Sequence, residues 1–140
     1  MPSPVLLNLG SGPHLAPGWT SIDASWNAWL AGRPRLRRAA RALGLLADEH
    51  EAVGWPESGI LLHDVRRGLP FESGAVAGIF AAHFLEHLTP DEARALLAEC
   101  ARVLAPGAPL RVIVPDLETM TACYASSLAS GDPEVRARAS

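Results

Sequence analysis

Two stretches of the chain carry residue types and spacings able to do chemistry. The first is Asn8-Leu9-Gly10-Ser11-Gly12, followed by Asp23 and, further on, by Asp64. Glycines let a backbone approach a ligand closely, and a carboxylate can accept both hydroxyl protons of a ribose in a bidentate pair. A second carboxylate can accept from the amino group of a purine. Together these residues are the parts of a nucleoside site. The second stretch is His83-Phe84-Leu85-Glu86-His87, which matches the H-x-x-E-H zinc-hydrolase pattern. Zinc chemistry would need both rings on one helical face and a further ligand from downstream. An imidazole can instead act as a general base on a hydroxyl or amine nucleophile.

Short continuous apolar runs must hold these residues as strands covered on both faces. The runs are Val5 to Leu9, Thr20 to Asp23, Ile60 to Leu62 (leading to Asp64), Ala75 to Ala82 and Leu110 to Val114. Each candidate residue then falls at or just beyond a strand end. Helices are expected between the strands. The clearest starts at Thr89-Pro90-Asp91-Glu92, a capping box with proline at the first helical position, with Ala93, Leu96, Leu97, Cys100 and Leu104 on one stripe. Asp116 can cap another, with Leu117, Met120, Tyr124 and Leu128 at helical spacing. Alternating strands and helices imply an α/β domain with a parallel sheet. Only about ten residues separate the first two strands, where a parallel crossover wants roughly a dozen or more, so any helix there is a single turn or absent. The next connection, residues 24–59, is long and reads as an insertion of one or two helices.

The glycine turn excludes two ligand classes. A dinucleotide fingerprint wants a third glycine where Leu15 stands, and an acid later than Asp23. A P-loop requires lysine, and the chain has none. A ligand whose non-nucleoside part carries no phosphate fits what remains, and S-adenosyl-L-methionine is such a ligand. The segments LNLGSG, GWTSIDAS, LLHDVRRGLPFESGAVAGIFAAHFLEHL, ECARVLAPG and LRVIVPDLE occur in the order found in class I S-adenosylmethionine-dependent methyltransferases. The chain resembles that family, of the type 11 kind. The resemblance implies a Rossmann-like doubly wound sheet of strand order 3-2-1-4-5. It also implies cofactor contacts from Gly10, Ser11, Gly12, Asp23 and Asp64, with Val65 beside the adenine. Where many relatives carry an acid, this chain has Asn8, which keeps an amide and loses a charge. With that strand order His83 should lie across the crevice from the glycine turn, as a base or as a residue shaping the pocket.

The expected activity is transfer of the cofactor's methyl group to an oxygen or nitrogen nucleophile of a small molecule or saccharide. A non-catalytic cofactor-binding or interaction module is the first rival, and a zinc hydrolase the remote one; no metal is expected. The 140 residues suit a single domain, and 49 % hydrophobic content suits a packed core. A net charge of −3 speaks against a general nucleic-acid binder. No apolar run reaches membrane-spanning length, and the absence of a secretory signal with two helix-embedded cysteines, Cys100 and Cys123, both expected to be buried, suggests a cytoplasmic setting. Arg33, Arg35, Arg37, Arg38 and Arg41 are either a solvated helix face packed by its leucines or a surface for an anionic partner. That partner could be an acidic glycan, a lipid headgroup surface or a phosphorylated substrate. Trp26 and Trp29 belong to the core or to a lid. Asp132-Pro133-Glu134 opens a helix that soon stops, as in a truncated chain lacking the family's last strands. The fifth strand would then be an apolar edge open to self-association.

Overall fold

A computed structural model of the chain describes residues 4–45 and 54–129. Its five strands are β1 (Val5–Leu9), β2 (Trp19–Asp23), β3 (Ile60–Leu62), β4 (Val76–Ala82) and β5 (Leu110–Ile113). They pair throughout in parallel in the order β3-β2-β1-β4-β5, as expected. The register fixes the functional edge. Leu9 lies opposite Ile22 on one side and Ala81 on the other, so β1, β2 and β4 end level with one another. Asp23 lies opposite Leu62, which brings Asp64 out just beyond. The residues that follow these strands therefore emerge together.

Both faces of every strand were expected to be covered, but cover is uneven. Leu6 and Asn8 in β1 and Phe80 and Ala82 in β4 are half-buried. β3 and β5, with a neighbouring strand on one side only, leave Leu61, Leu62, Leu110 and Val112 exposed. Leu7, Leu9, Ile22, Val76, Ile79 and Ala81 are buried, and they share one core with Val65, Leu69, Leu96, Cys100 and Val103. The last three lie on α3 (Pro90–Val103), at spacings that put them on one stripe. Its capping box forms: the Thr89 hydroxyl accepts from the Glu92 N–H, and the Glu92 carboxylate accepts from the Thr89 N–H at 2.8 Å. The buried stripe is Leu96, Cys100 and Val103, so Leu97 is turned outward and exposed, contrary to its expected place in the core. Leu104 leaves the helix in an extended conformation and pairs with Val76. Glu99 and Arg102 on the same helix hold the segment before β4. Glu99 accepts from the Leu69 N–H at 2.9 Å, and Arg102 donates to the carbonyls of Leu69 and Phe71. The Arg102 guanidinium and that N–H keep the Glu99 carboxyl down at about 2. Burial, with Glu99 adding to it, pushes the Cys100 thiol up to about 11, so it stays protonated and packs as a small apolar group.

No helix joins β1 to β2, as the short connection required. In the insertion the described residues form two helices, α1 (Trp26–Ala31) and α2 (Pro34–Ala42). Residues 46–53 lie outside the described residues. Trp26 and Trp29 stack with ring centroids 4.6 Å apart, and the Arg33 guanidinium sits 4.0 Å from the Trp29 ring centre. The leucines of α2 do not pack into the core: none of its residues is buried.

Beyond β5, Asp116 caps α4 (Leu117–Ala129) as expected, accepting from the N–H groups of Glu118 and Thr119. This helix lies open. Leu117, Met120 and Tyr124 are exposed, and Cys123 is exposed where a buried thiol was expected. Helical spacing predicted an apolar stripe correctly, but among the described residues nothing covers it. The side chain of Leu128 and the expected helix start at Asp132 lie outside the described residues.

Candidate functional site

β1 runs out at Leu9, and the chain turns through Gly10 (φ 62°) and Gly12 (φ 55°), both left-handed. Such a backbone strains any residue with a Cβ. The turn is stitched to the end of β2. Gly10 N–H donates to the Ile22 carbonyl at 2.9 Å, and Gly12 N–H donates to Asp23 Oδ2 at 3.0 Å. The other oxygen, Oδ1, accepts from the Ser25 N–H at 2.7 Å, just where the Ser25 side chain caps α1. Asp23 thus organises both the glycine turn and the start of the insertion. Each of its oxygens keeps a further lone pair for a ligand.

At the end of β4 the chain makes a second unusual turn. His83 has φ 52° and is the one non-glycine residue with positive φ among the described residues. Its N–H still donates to the Ile113 carbonyl at 2.9 Å, which extends the sheet while the side chain swings away. Strain of this kind, about 1–3 kcal/mol, persists when surrounding structure imposes it. The ring is 66 % exposed, with Nδ1 3.7 Å from Glu86 Oε1. Next to it, Phe84 packs under the glycine turn so closely that a Cβ at Gly10 would overlap its ring and lie 2.8 Å from its Cβ.

These turns enclose one cavity of about 400 Å³, on the scale of small-molecule sites. Gly10, Gly12, Asp23, Asp64, Val65 and His83 all line it. The expected confrontation of the glycine turn with His83 is therefore realised at the switch point between β1 and β4. Asn8 and Ser11 do not line it. Asn8 sits within β1, opposite Ser21 and Phe80, and Ser11 is buried with its hydroxyl donating to the Gly12 carbonyl. Neither Trp26 nor Trp29 lines this cavity, so the structure gives no support to a tryptophan lid over it.

Asp64 caps a short 3₁₀ turn, Val65–Arg67, that buries Val65 in the core. Its carboxylate takes the Arg66 fork through both oxygens at 2.8 Å, and this pairing holds its pKa below the ordinary carboxylate value. A third interaction, 3.7 Å from Arg66 to Glu92, ties the pair to the first turn of α3. Beside it, the His63 ring hydrogen-bonds the Gly68 carbonyl at 2.7 Å, so Nε2 carries the proton. Sequence reasoning missed Phe84, His87, Ser25 and Arg66 in the lining. Arg66 was legible as a fork two residues from a carboxylate. Phe84 was not, because its partner is 74 positions away.

The H-x-x-E-H residues do not make a zinc site. Leu85–His87 is one 3₁₀ turn rather than a helix, and His83 precedes it in a left-handed conformation. Among the described residues no group of three or more His, Cys, Asp or Glu side chains is arranged to hold a metal.

Residues 36–112, more than half of the chain, match a family model described as a methyltransferase domain. The match takes in Asp64, Val65 and His83 but begins after the glycine turn and Asp23. Among solved structures, the fold is similar to that of a candidate S-adenosyl-L-methionine-dependent methyltransferase from Methanococcus maripaludis, at 18 % identity and a TM-score of 0.48, over 78 % of this chain and 47 % of that one. It is also similar to a SAM-dependent methyltransferase from Aquifex aeolicus, at 20 % identity and a TM-score of 0.44, over 79 % of this chain and 55 % of that one. The chain spans about half the length of these structures. No curated protein matches the sequence.

Proposed function

Because the chain belongs to the methyltransferase-domain family, we propose that its cavity binds S-adenosyl-L-methionine for methyl transfer to an oxygen or nitrogen nucleophile of a small molecule or saccharide. One observation carries this reading. Two left-handed glycines, the second held by a carboxylate that retains free lone pairs, stand beside a second carboxylate at the next strand end. The space fits. A Cβ at Gly12 would meet nothing within 4 Å, so the turn opens onto room for a ligand.

In this reading Asp23 accepts the ribose hydroxyls, and the Gly10–Gly12 backbone receives the amino-acid end. Asp64 and Val65 flank the adenine, with Arg66 holding Asp64 ionised. Ser11 ties the turn through its hydroxyl on the Gly12 carbonyl. The bound cofactor supplies an electrophilic methyl group on a sulfonium. The chain's own part is to align the acceptor, exclude water and take up a proton. His83 is the group for the last task, since a neutral imidazole nitrogen can accept a proton from a hydroxyl or amine in the cavity.

The test is transfer of a radiolabelled methyl group to a panel of alcohols, amines and saccharides. His83→Ala should lower turnover by about 10²–10⁴-fold while leaving cofactor affinity intact. Loss of both together would assign His83 to shaping the pocket, and unchanged turnover would remove it from the site. Cofactor binding without turnover on any acceptor would favour a non-catalytic module.

A further inference from the structure

The insertion presents a surface that the cavity does not use. Arg33, Arg35, Arg37, Arg38 and Arg41 account for five of the chain's twelve basic residues, and no acid lies between Asp23 and Asp48. On α2 the two residue classes separate. At 100° per residue, Leu36, Ala39, Ala40 and Leu43 fall within one arc. Arg35 and Arg37 flank that arc on either side, with Arg38 and Arg41 opposite it. Among the described residues the apolar arc is uncovered: Leu36 is 50 % exposed and Leu43, at the helix end, is 73 % exposed. The neighbouring α1 adds Trp26, 66 % exposed.

A soluble polyanion would satisfy the arginines and leave the leucines in water. An anionic bilayer surface satisfies both, because the apolar arc enters the headgroup boundary while flanking arginines reach lipid phosphates. A tryptophan beside such a helix is the aromatic favoured at that depth. We infer that α2 is a docking helix for an anionic lipid surface. Arg35 and Arg37, on either side of the apolar arc, provide the attraction, which rises by roughly fivefold in partitioning per arginine near an anionic surface. Two leucines and two alanines are too little apolar area to hold a neutral membrane, so docking is conditional on lipid charge. The inference is independent of what the cavity binds.

The experiment is co-sedimentation of the chain with vesicles of equal parts phosphatidylglycerol and phosphatidylcholine, against pure phosphatidylcholine. The chain should sediment with the first, fall off as salt is raised, and ignore the second. Arg35→Gln with Arg37→Gln, the two that flank the apolar arc, should cut partitioning roughly 25-fold. Leu36→Ser with Leu43→Ser should also release the chain while leaving every charge in place. All four side chains lie outside the core, so these variants keep the fold, which circular dichroism checks. Absence of binding to the anionic vesicles would overturn the inference. Full retention by the double leucine variant would overturn it too, and would make α2 a site for soluble polyanions.

Discussion

Replacing Gly10 by alanine separates two costs that the structure assigns to different glycines. At φ 62° a Cβ costs about 1–2 kcal/mol against the following carbonyl. At Gly10 that Cβ would also overlap the Phe84 ring and lie 2.8 Å from the Phe84 Cβ, which no rotamer change can move aside. Overpacking of this kind costs about 1–3 kcal/mol. Gly10→Ala should therefore destabilise the chain by about 2–5 kcal/mol. Gly12→Ala, at φ 55° with nothing within 4 Å of the added carbon, should cost only the strain of about 1–2 kcal/mol. The gain from a stiffer unfolded chain applies to both substitutions and cancels in the comparison. Thermal melts should differ by roughly 4–12 °C between the two variants, at about 4 °C per kcal/mol for a domain of this size. In a Phe84→Gly background, where the opposing Cβ is gone, the cost of Gly10→Ala should fall to that of Gly12→Ala. Equal melting of the two single variants, or no change in the Gly10→Ala cost without Phe84, would refute the close-approach argument.

Glu99→Gln should flatten the acid limb of stability. The folded carboxyl at about 2 lies below its ordinary 4.5, so its contribution is present above pH 4.5 and lost as pH falls from there toward 2; urea midpoints across that range measure it. His83→Gly should be no less stable than the parent in thermal melts, because glycine accepts φ 52° freely, whereas a clear loss would mean the His83 ring packs in the fold. β5 stands at the sheet edge among the described residues, with Leu110, Val112 and Val114 exposed. Sedimentation velocity should show concentration-dependent association that Val112→Lys suppresses.

The strands were legible because each of the five observed strands falls on a continuous apolar run, although the edge strands β3 and β5 leave much of theirs exposed. The capping box at Thr89 was legible because it is local. Strand order came through the resemblance to a family, and the register then delivered Gly10, Asp23, Asp64 and His83 to one edge. What stayed hidden depends on contacts distant in sequence or on cover. Leu97 and Cys123 occupy apolar helical positions yet face outward, since spacing defines a stripe without saying what packs on it. Phe84 beneath Gly10 is a product of the β1–β4 pairing. The double duty of Asp23, pinning the glycine turn and the first helix of the insertion, is written in hydrogen bonds between backbone and side chain that no pattern of residue types displays.

The central claim is that the cavity at the ends of β1, β2 and β4 is a cofactor site organised by Asp23. Calorimetric titration with S-adenosyl-L-homocysteine, the demethylated form of the cofactor, tests it most directly. The account predicts saturable binding by the parent chain, and affinity about 10–150-fold weaker in folded Asp23→Ala, the effect of losing hydrogen bonds to a charged group worth about 1.5–3 kcal/mol. No binding by the parent, or equal affinity in the variant, would contradict it.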